Sequence, residues 1–440
     1  MKQSQWSSRL GYILAAAGSA VGIGAIWKFP YVTAVNGVNG GGAFLLVFLL
    51  FSFTLGVAVL MGETLLGSMS RRGVVGAFSD LLGKQWRWVG VMGVISTLLI
   101  YCFYSVVGGW TLGYTGMAIS GQLNHGDAAA LTARFNDYVS GDVWPILTHL
   151  LFAALTWMVV QGGIQKGVER TLRWMMPALF LMILMLVAFG LTLPNAMAGV
   201  RHFLMPDFSK LGMSGVLDAM GLAFFSLSIG LGIHTTYGAY LPTSEGVGRS
   251  SLWVVLLASM VAVLAGLMIF PVLASTGIDP ASGPGLTFMT MPAVFQLLPF
   301  GQVLEVIFFA LLVFAALSSA ISLLEHLQCF LCETWGWSRR TACSAITGFV
   351  MVSGVPVSLS FGSLQHATLF GKTIFELLDF VTSNLMMPLF GLMLTLLLGW
   401  KLGRKALPQG IASHWHHLLM NCWRWIAPLL IGGILIRGLV

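Results

Sequence analysis

The sequence predicts an all-α polytopic membrane protein, and three observations carry that reading. Hydrophobic residues make up 57% of the 440 positions and charged residues 8%, whereas a soluble domain carries about 25% charged residues. The mean hydropathy is +0.88. The apolar residues also gather in windows of about 20, the length at which a helix crosses hydrocarbon. The formal net charge of +7 is no nucleic-acid signal, because the basic residues lie between apolar windows, where they set topology. No stretch is polar and long enough to form a separate soluble domain, so one transmembrane domain over 1–440 is expected.

About eleven spans follow in order. The first, 11–35, begins after Lys2 and Arg9 and resembles a signal peptide. Its apolar run continues through Trp27 to Val32, long enough to span, so we read it as a retained helix. The second, 41–69, carries Glu63 well inside it. The third is 88–120, and 145–161 and 172–193 follow. The sixth, 214–239, is interrupted by glycine, and the seventh is 249–275. The eighth, 291–333, carries the pair Ser318-Ser319 and ends in Cys329-x-x-Cys332, which lacks the second ligand pair of a zinc site. Windows 341–359, 373–400 and 420–438 complete the set, and the connections 121–144 and 194–213 are long enough for surface helices.

Sixteen of the 22 Lys and Arg fall on the cytoplasmic side if the N-terminus is inside: Lys2, Arg9, Arg71, Arg72, Lys84, Arg87, Lys166, Arg170, Arg173, Arg249, Arg339, Arg340, Lys401, Arg404, Lys405 and Arg424. That orientation is therefore expected, with the odd span count placing the C-terminus outside.

Two stretches point to function. Gly18-Ser19-Ala20-Val21-Gly22-Ile23-Gly24 sits inside the first window, and Lys28-Phe29-Pro30 closes it. Phe225-Ser226-Leu227-Ser228-Ile229-Gly230-Leu231-Gly232 interrupts the sixth. Glycine and proline weaken a helix at mid-membrane depth, where freed backbone groups are tolerable only if they line a cavity or bind something. Two such breaks separated by five spans predict an inverted repeat with a midplane binding site between the breaks. A dinucleotide loop is excluded, since Gly22-x-Gly24 has neither the third glycine nor a preceding strand. No span pairs a nucleophile with a base or gathers metal ligands, so an enzyme is not expected.

The same stretches resemble the neurotransmitter:sodium symporter family. So do Ser8-Arg9-Leu10-Gly11, Asn39-Gly40-Gly41-Gly42-Ala43-Phe44, Trp110-Thr111-Leu112-Gly113 and Ala315-Ala316-Leu317-Ser318-Ser319. The similarity runs in order over nearly the whole chain and is greatest to short bacterial members with eleven spans. It implies a five-plus-five inverted repeat with broken helices 1 and 6. The first repeat would cover about 11–193 and the second about 214–400, with an extra helix at about 420–438.

The resemblance also implies site residues. Tyr104 would bind a substrate carboxylate, together with N–H groups near Ile23 and Gly24; a phenol and half-helix N-termini can solvate such a charge at low dielectric. A substrate ammonium would lie against carbonyls of Ala20, Phe225 and Ser226, near Ser228. Ile100, Phe225, Leu231 and Leu323 would form the side-chain subsite. That lining holds no acid and suits a neutral, apolar or aromatic amino acid. A sodium ion would be held by carbonyls of Gly18, Val21 and Ala315 and hydroxyls of Ser318 and Ser319, five neutral oxygens suited to a hard monovalent cation. Lys28 and Asp379 would form an external gate, and Glu63 would be a buried acid beside the breaks.

The sequence departs from the family at a second sodium subsite, where Ala25 and Ala258 stand in place of side-chain oxygen donors, and at Leu222 and Ala262 nearby. The implied function is a symporter in a bacterial cytoplasmic membrane that couples inward sodium flow to uptake of a neutral amino acid by alternating access. Its partners would be sodium, that small solute and the lipid bilayer, with no organic cofactor and no nucleic acid; a homodimer is left open. The rival readings are a proton-coupled or sodium-independent carrier of another small organic solute, and a sensor of the same fold that has lost turnover.

Overall fold

The computed structural model describes residues 5–36, 41–241, 246–277, 286–407 and 413–439. Lys2, Asn39 and Gly40, which entered the sequence argument, lie outside them. The described residues form helices throughout, with two isolated β-bridges and no strand.

Among the described residues, nine helices are long and apolar enough to cross a membrane: Gly41–Ser70, Lys84–Ile119, Trp144–Gln161, Ile164–Leu191, Val247–Thr276, Gly301–Trp335, Arg339–Leu359, Ile374–Ala406 and His416–Gly438. The first span is a bent pair, Arg9–Ala20 and Gly24–Asn36, whose halves meet at 53°. It starts where Ser8 caps the helix by accepting the Gly11 N–H. The sixth consists of the apolar helix Met213–Ser226, an unwound segment at 227–232, and the short helix Ile233–Ala239. Both breaks fall where glycines interrupt the windows. In the sixth span the backbone turns through left-handed conformations at Ser228 (φ 51°), Gly230 (φ 86°) and Gly232 (φ 81°), which glycine adopts without the steric cost other residues incur.

The eighth window, 291–333, proves to be two elements. Met291–Gln296 is a separate helix, and the span itself starts at Gly301. Pro299 and Phe300 divide them, with Phe300 in the left-handed region at φ 59°. An apolar run alone does not reveal such a turn. The connections at 121–144 and 194–213 carry the helices Ala128–Ser140 and Ala196–Leu204.

The breaks of spans one and six face span eight in the middle of the bundle. At the end of the molecule that carries the N-terminus the core is sealed. Trp6 is 2% exposed. Its indole N–H donates to the Tyr237 carbonyl at 3.0 Å and its backbone N–H to the Tyr240 carbonyl at 3.1 Å. Arg9 Nε donates to Ser250 Oγ at 2.9 Å, and Glu169 accepts the Ser7 N–H and hydroxyl.

Candidate functional site

Span one unwinds after Ala20, and the carbonyls released there turn toward span eight. Ser318 Oγ donates to the Ala315 carbonyl at 2.9 Å and to the Val21 carbonyl at 3.3 Å. Ser319 Oγ lies 3.0 Å from the Ser19 carbonyl and 3.5 Å from that of Gly18. The five oxygens expected around sodium lie in two hydrogen-bonded groups, Ser318 Oγ with the Ala315 and Val21 carbonyls and Ser319 Oγ with the Gly18 carbonyl, and the Ser19 carbonyl joins the second. The inter-helix separations are 3.3 Å to Val21, 3.5 Å to Gly18 and 3.0 Å to Ser19. The set is buried and carries no formal charge, so its chemistry fits a monovalent hard cation.

Gly22 joins this oxygen set to its neighbour. A Cβ there would lie 2.5 Å from Ser319 Oγ and 3.0 Å from the Tyr104 hydroxyl, so only glycine lets the three elements meet. The Ile23 N–H donates to the Tyr104 hydroxyl at 3.4 Å.

Beside them lies a cavity of about 50 Å³. Ala20, Gly24, Ile100, Tyr104, Phe225, Ser226, Ser228, Leu231 and Leu323 line it, which gathers every residue expected around substrate except Ile23. Ser19, Gly22, Ile233, Ser319 and Met387 line it too. Sequence reasoning left Ser19, Gly22, Ile233 and Met387 out of the site. Ser19 and Gly22 lie inside the interrupted stretch and could have been found there, whereas nothing in the sequence of span ten singles out Met387. In the cavity's polar lining, Ser228 Oγ donates to the Ser19 carbonyl at 2.8 Å. Ile100, Phe225, Leu231, Ile233, Leu323 and Met387 supply its apolar lining.

A second cavity of about 360 Å³ lies on the Lys28 side and shares Phe225 and Met387 with the first. These two side chains therefore border both spaces. The Lys28 ammonium sits 4.6 Å from the centre of the Phe225 ring, a cation–π contact. Asp379 accepts the Ser383 hydroxyl at 2.8 Å. Among the described residues no ion pair within 4 Å joins Lys28 to Asp379, so this conformation does not bring the expected gate pair together. Arg437 instead pairs with Asp218 at 2.7 Å, and both line this larger cavity.

Glu63 is fully buried, and its Oε1 accepts the Gly230 N–H at 2.7 Å. It thus satisfies an N–H that the unwound segment sets free. At the second sodium subsite, Ala25 and Ala258 are buried and bring no side-chain oxygen, and Ser226 Oγ turns to its own helix at the Ala223 carbonyl.

The sodium:neurotransmitter symporter family matches residues 3–138 and 137–440, which together span almost the whole chain. The chain belongs to this family. Among its relatives, the sodium-dependent transporter YhdH of Bacillus subtilis (strain 168) is 39% identical over 441 residues, covering 98% of this chain and 96% of its own. A sodium-dependent transporter of Haemophilus influenzae is 33% identical over 454 residues, covering 100% and 99%. The crystal structure of MhsT in complex with L-phenylalanine superposes with a TM-score of 0.89 at 37% identity, over 99% of this chain and 100% of that one. As a symporter of this family the protein is a multi-pass, sodium-dependent membrane transporter of a small organic solute, and not an enzyme. Its fold is the five-plus-five inverted repeat with broken helices.

Proposed function

We propose that this symporter takes up a neutral, apolar or aromatic amino acid with sodium, across a bacterial cytoplasmic membrane and with its N-terminus inside. The observation that carries this reading is the juxtaposition at Gly22. A cavity lined by hydroxyls and by apolar side chains lies beside the neutral oxygens of spans one and eight, and Ser19 and Ser319 belong to both, with Gly22 packed against Ser319 and Tyr104.

In this reading the substrate carboxylate takes the Tyr104 hydroxyl and the N–H groups at Ile23 and Gly24, and its ammonium takes the carbonyls of Ala20, Phe225 and Ser226 with the Ser228 hydroxyl. The side chain rests on Ile100, Phe225, Leu231 and Leu323. Sodium occupies the oxygens of Gly18, Val21, Ala315, Ser318 and Ser319. It couples to substrate because both draw the unwound part of span one toward span eight. Phe225 swings aside to admit substrate from the outer cavity. Lys28 leaves the ring for Asp379 once substrate is in place, and Glu63 holds the hinge of span six. The chain works as one transporter domain, with repeats at about 11–193 and 214–400. The neighbouring structure's bound L-phenylalanine supports the substrate class, and the distribution of Lys and Arg supports the orientation.

Uptake of a labelled amino-acid panel into proteoliposomes, with sodium and proton gradients imposed separately, tests the proposal. Accumulation of apolar or aromatic amino acids driven by sodium is expected. Accumulation driven by protons alone, or binding without accumulation, overturns it.

A further inference from the structure

The unwound segment of span six frees backbone groups on both of its sides, and each freed group needs a partner in a site closed to bulk water. On the side that follows, Glu63 accepts the Gly230 N–H. On the side that precedes, the Ala223 carbonyl accepts the Ser226 hydroxyl and the Phe225 carbonyl accepts the Ser228 N–H at 3.0 Å. The last carbonyl before the chain turns left-handed belongs to Leu227, and it receives His234 Nε2 at 2.9 Å.

His234 belongs to the second half-helix, seven residues further on, and it is 0% exposed. A carbonyl only accepts, so Nε2 must carry a proton. Among the described residues Nδ1 has no hydrogen-bond partner, so the bond to Leu227 is the one that holds the ring.

The bond spans the break. It ties the end of Met213–Ser226 to the start of Ile233–Ala239, and the cavity residues Phe225, Ser226, Ser228 and Leu231 all lie on or beside the loop it closes. We infer that His234 is a positioning residue for the substrate cavity: by holding the Leu227 carbonyl it fixes the direction of the Phe225 and Ser226 carbonyls and the seat of the Phe225 ring. Glu63 and His234 then act as complementary clamps, an acceptor for the freed N–H and a donor for the freed C=O. The inference rests on the amino-acid reading only in the name of the ligand.

The test compares His234→Leu, His234→Gln and His234→Asn in proteoliposomes, with hydrogen–deuterium exchange of the amides at 226–234 on the same preparations. Gln reaches the Leu227 carbonyl with an N–H, whereas Asn is one methylene short and Leu offers no donor. His234→Leu is expected to raise the KM for the transported amino acid about tenfold, the scale for one buried hydrogen bond, with maximal rate within about threefold. Asn should resemble Leu and Gln should resemble the parent, in uptake and in exchange alike. If the Leu variant does not fold, the contrast of Gln with Asn decides. Equal KM for Gln and Asn overturns the inference, as does parental KM in the Leu variant. A parent protein that takes up none of the panel overturns the amino-acid reading instead. Exchange at 226–234 then decides for His234, and equal rates in all variants overturn it.

Discussion

A methyl group at position 22 would have to occupy space that Ser319 and Tyr104 already fill. Gly22→Ala should therefore push the unwound part of span one away from both neighbours at once. Uptake should fall below detection, and sodium should no longer raise the melting temperature of the purified protein. Unchanged stabilisation by sodium would separate the two sites.

Tyr104→Phe is a finer probe of the same junction. It should weaken a carboxylate-bearing substrate by about 1–3 kcal/mol, the cost of losing a hydrogen bond to a charged group. The corresponding amide should lose less, and equal losses would show that the phenol does not read the carboxylate. At the gate, Lys28 rests on Phe225 and Asp379 on Ser383, so each has a partner of its own in this conformation. If they meet once substrate is loaded, Lys28→Ala and Asp379→Asn should reduce turnover by less in combination than the sum of the two. Additive losses in a double-mutant cycle would show that the two never pair.

At the scale of the element, the breaks were the most legible part of the chain. Gly18, Gly22 and Gly24 in one window and Gly230 and Gly232 in another lie in the two windows that break, with Gly22, Gly230 and Gly232 in the unwound backbone and Gly18 still in the first half-helix. Side chains with a distinctive chemistry, such as Tyr104, Ser318 and Ser319, could be found by resemblance to the family. The Ser19 carbonyl was marked only by lying inside the interrupted stretch, and its approach to the Ser319 and Ser228 hydroxyls shows only in the conformation. His234 escaped for a related reason: an imidazole in an apolar helix looks the same whether it packs or clamps, and only the position of the Leu227 carbonyl distinguishes them. The eighth window ran too long because no charged residue falls between Met291 and Phe300, and the Pro299–Phe300 turn is silent in a hydropathy profile.

For the whole molecule, the contrast between the two candidate cation subsites is what the expected coupling ratio rests on. One keeps all five oxygens that the resemblance implies, on spans one and eight. The other has lost two side-chain donors to Ala25 and Ala258, against the six or so oxygens a hard cation of this size collects. One sodium per substrate is the expected stoichiometry, with hyperbolic sodium dependence and a Hill coefficient near ~1. Ser319→Ala should abolish coupling, whereas Ser226→Ala should chiefly alter substrate affinity. Reversal potentials in proteoliposomes report the ratio directly, and a value of two sodium ions would restore the second subsite.

Trp6 closes the far end of the molecule as a stopper closes a flask, its indole seated against Tyr237 with ring centres 5.2 Å apart and edge to face. In a cycle that opened this end, that stopper would be drawn and then replaced. The space it left would be bordered by Tyr12, Tyr237 and Tyr240 and would offer the Tyr237 carbonyl as a hydrogen-bond acceptor. A flat aromatic compound with a single N–H would lodge there from the side on which the N-terminus lies. The cycle would then stop with its far door jammed ajar, a form of arrest that substrate added on the opposite side could not relieve by competition.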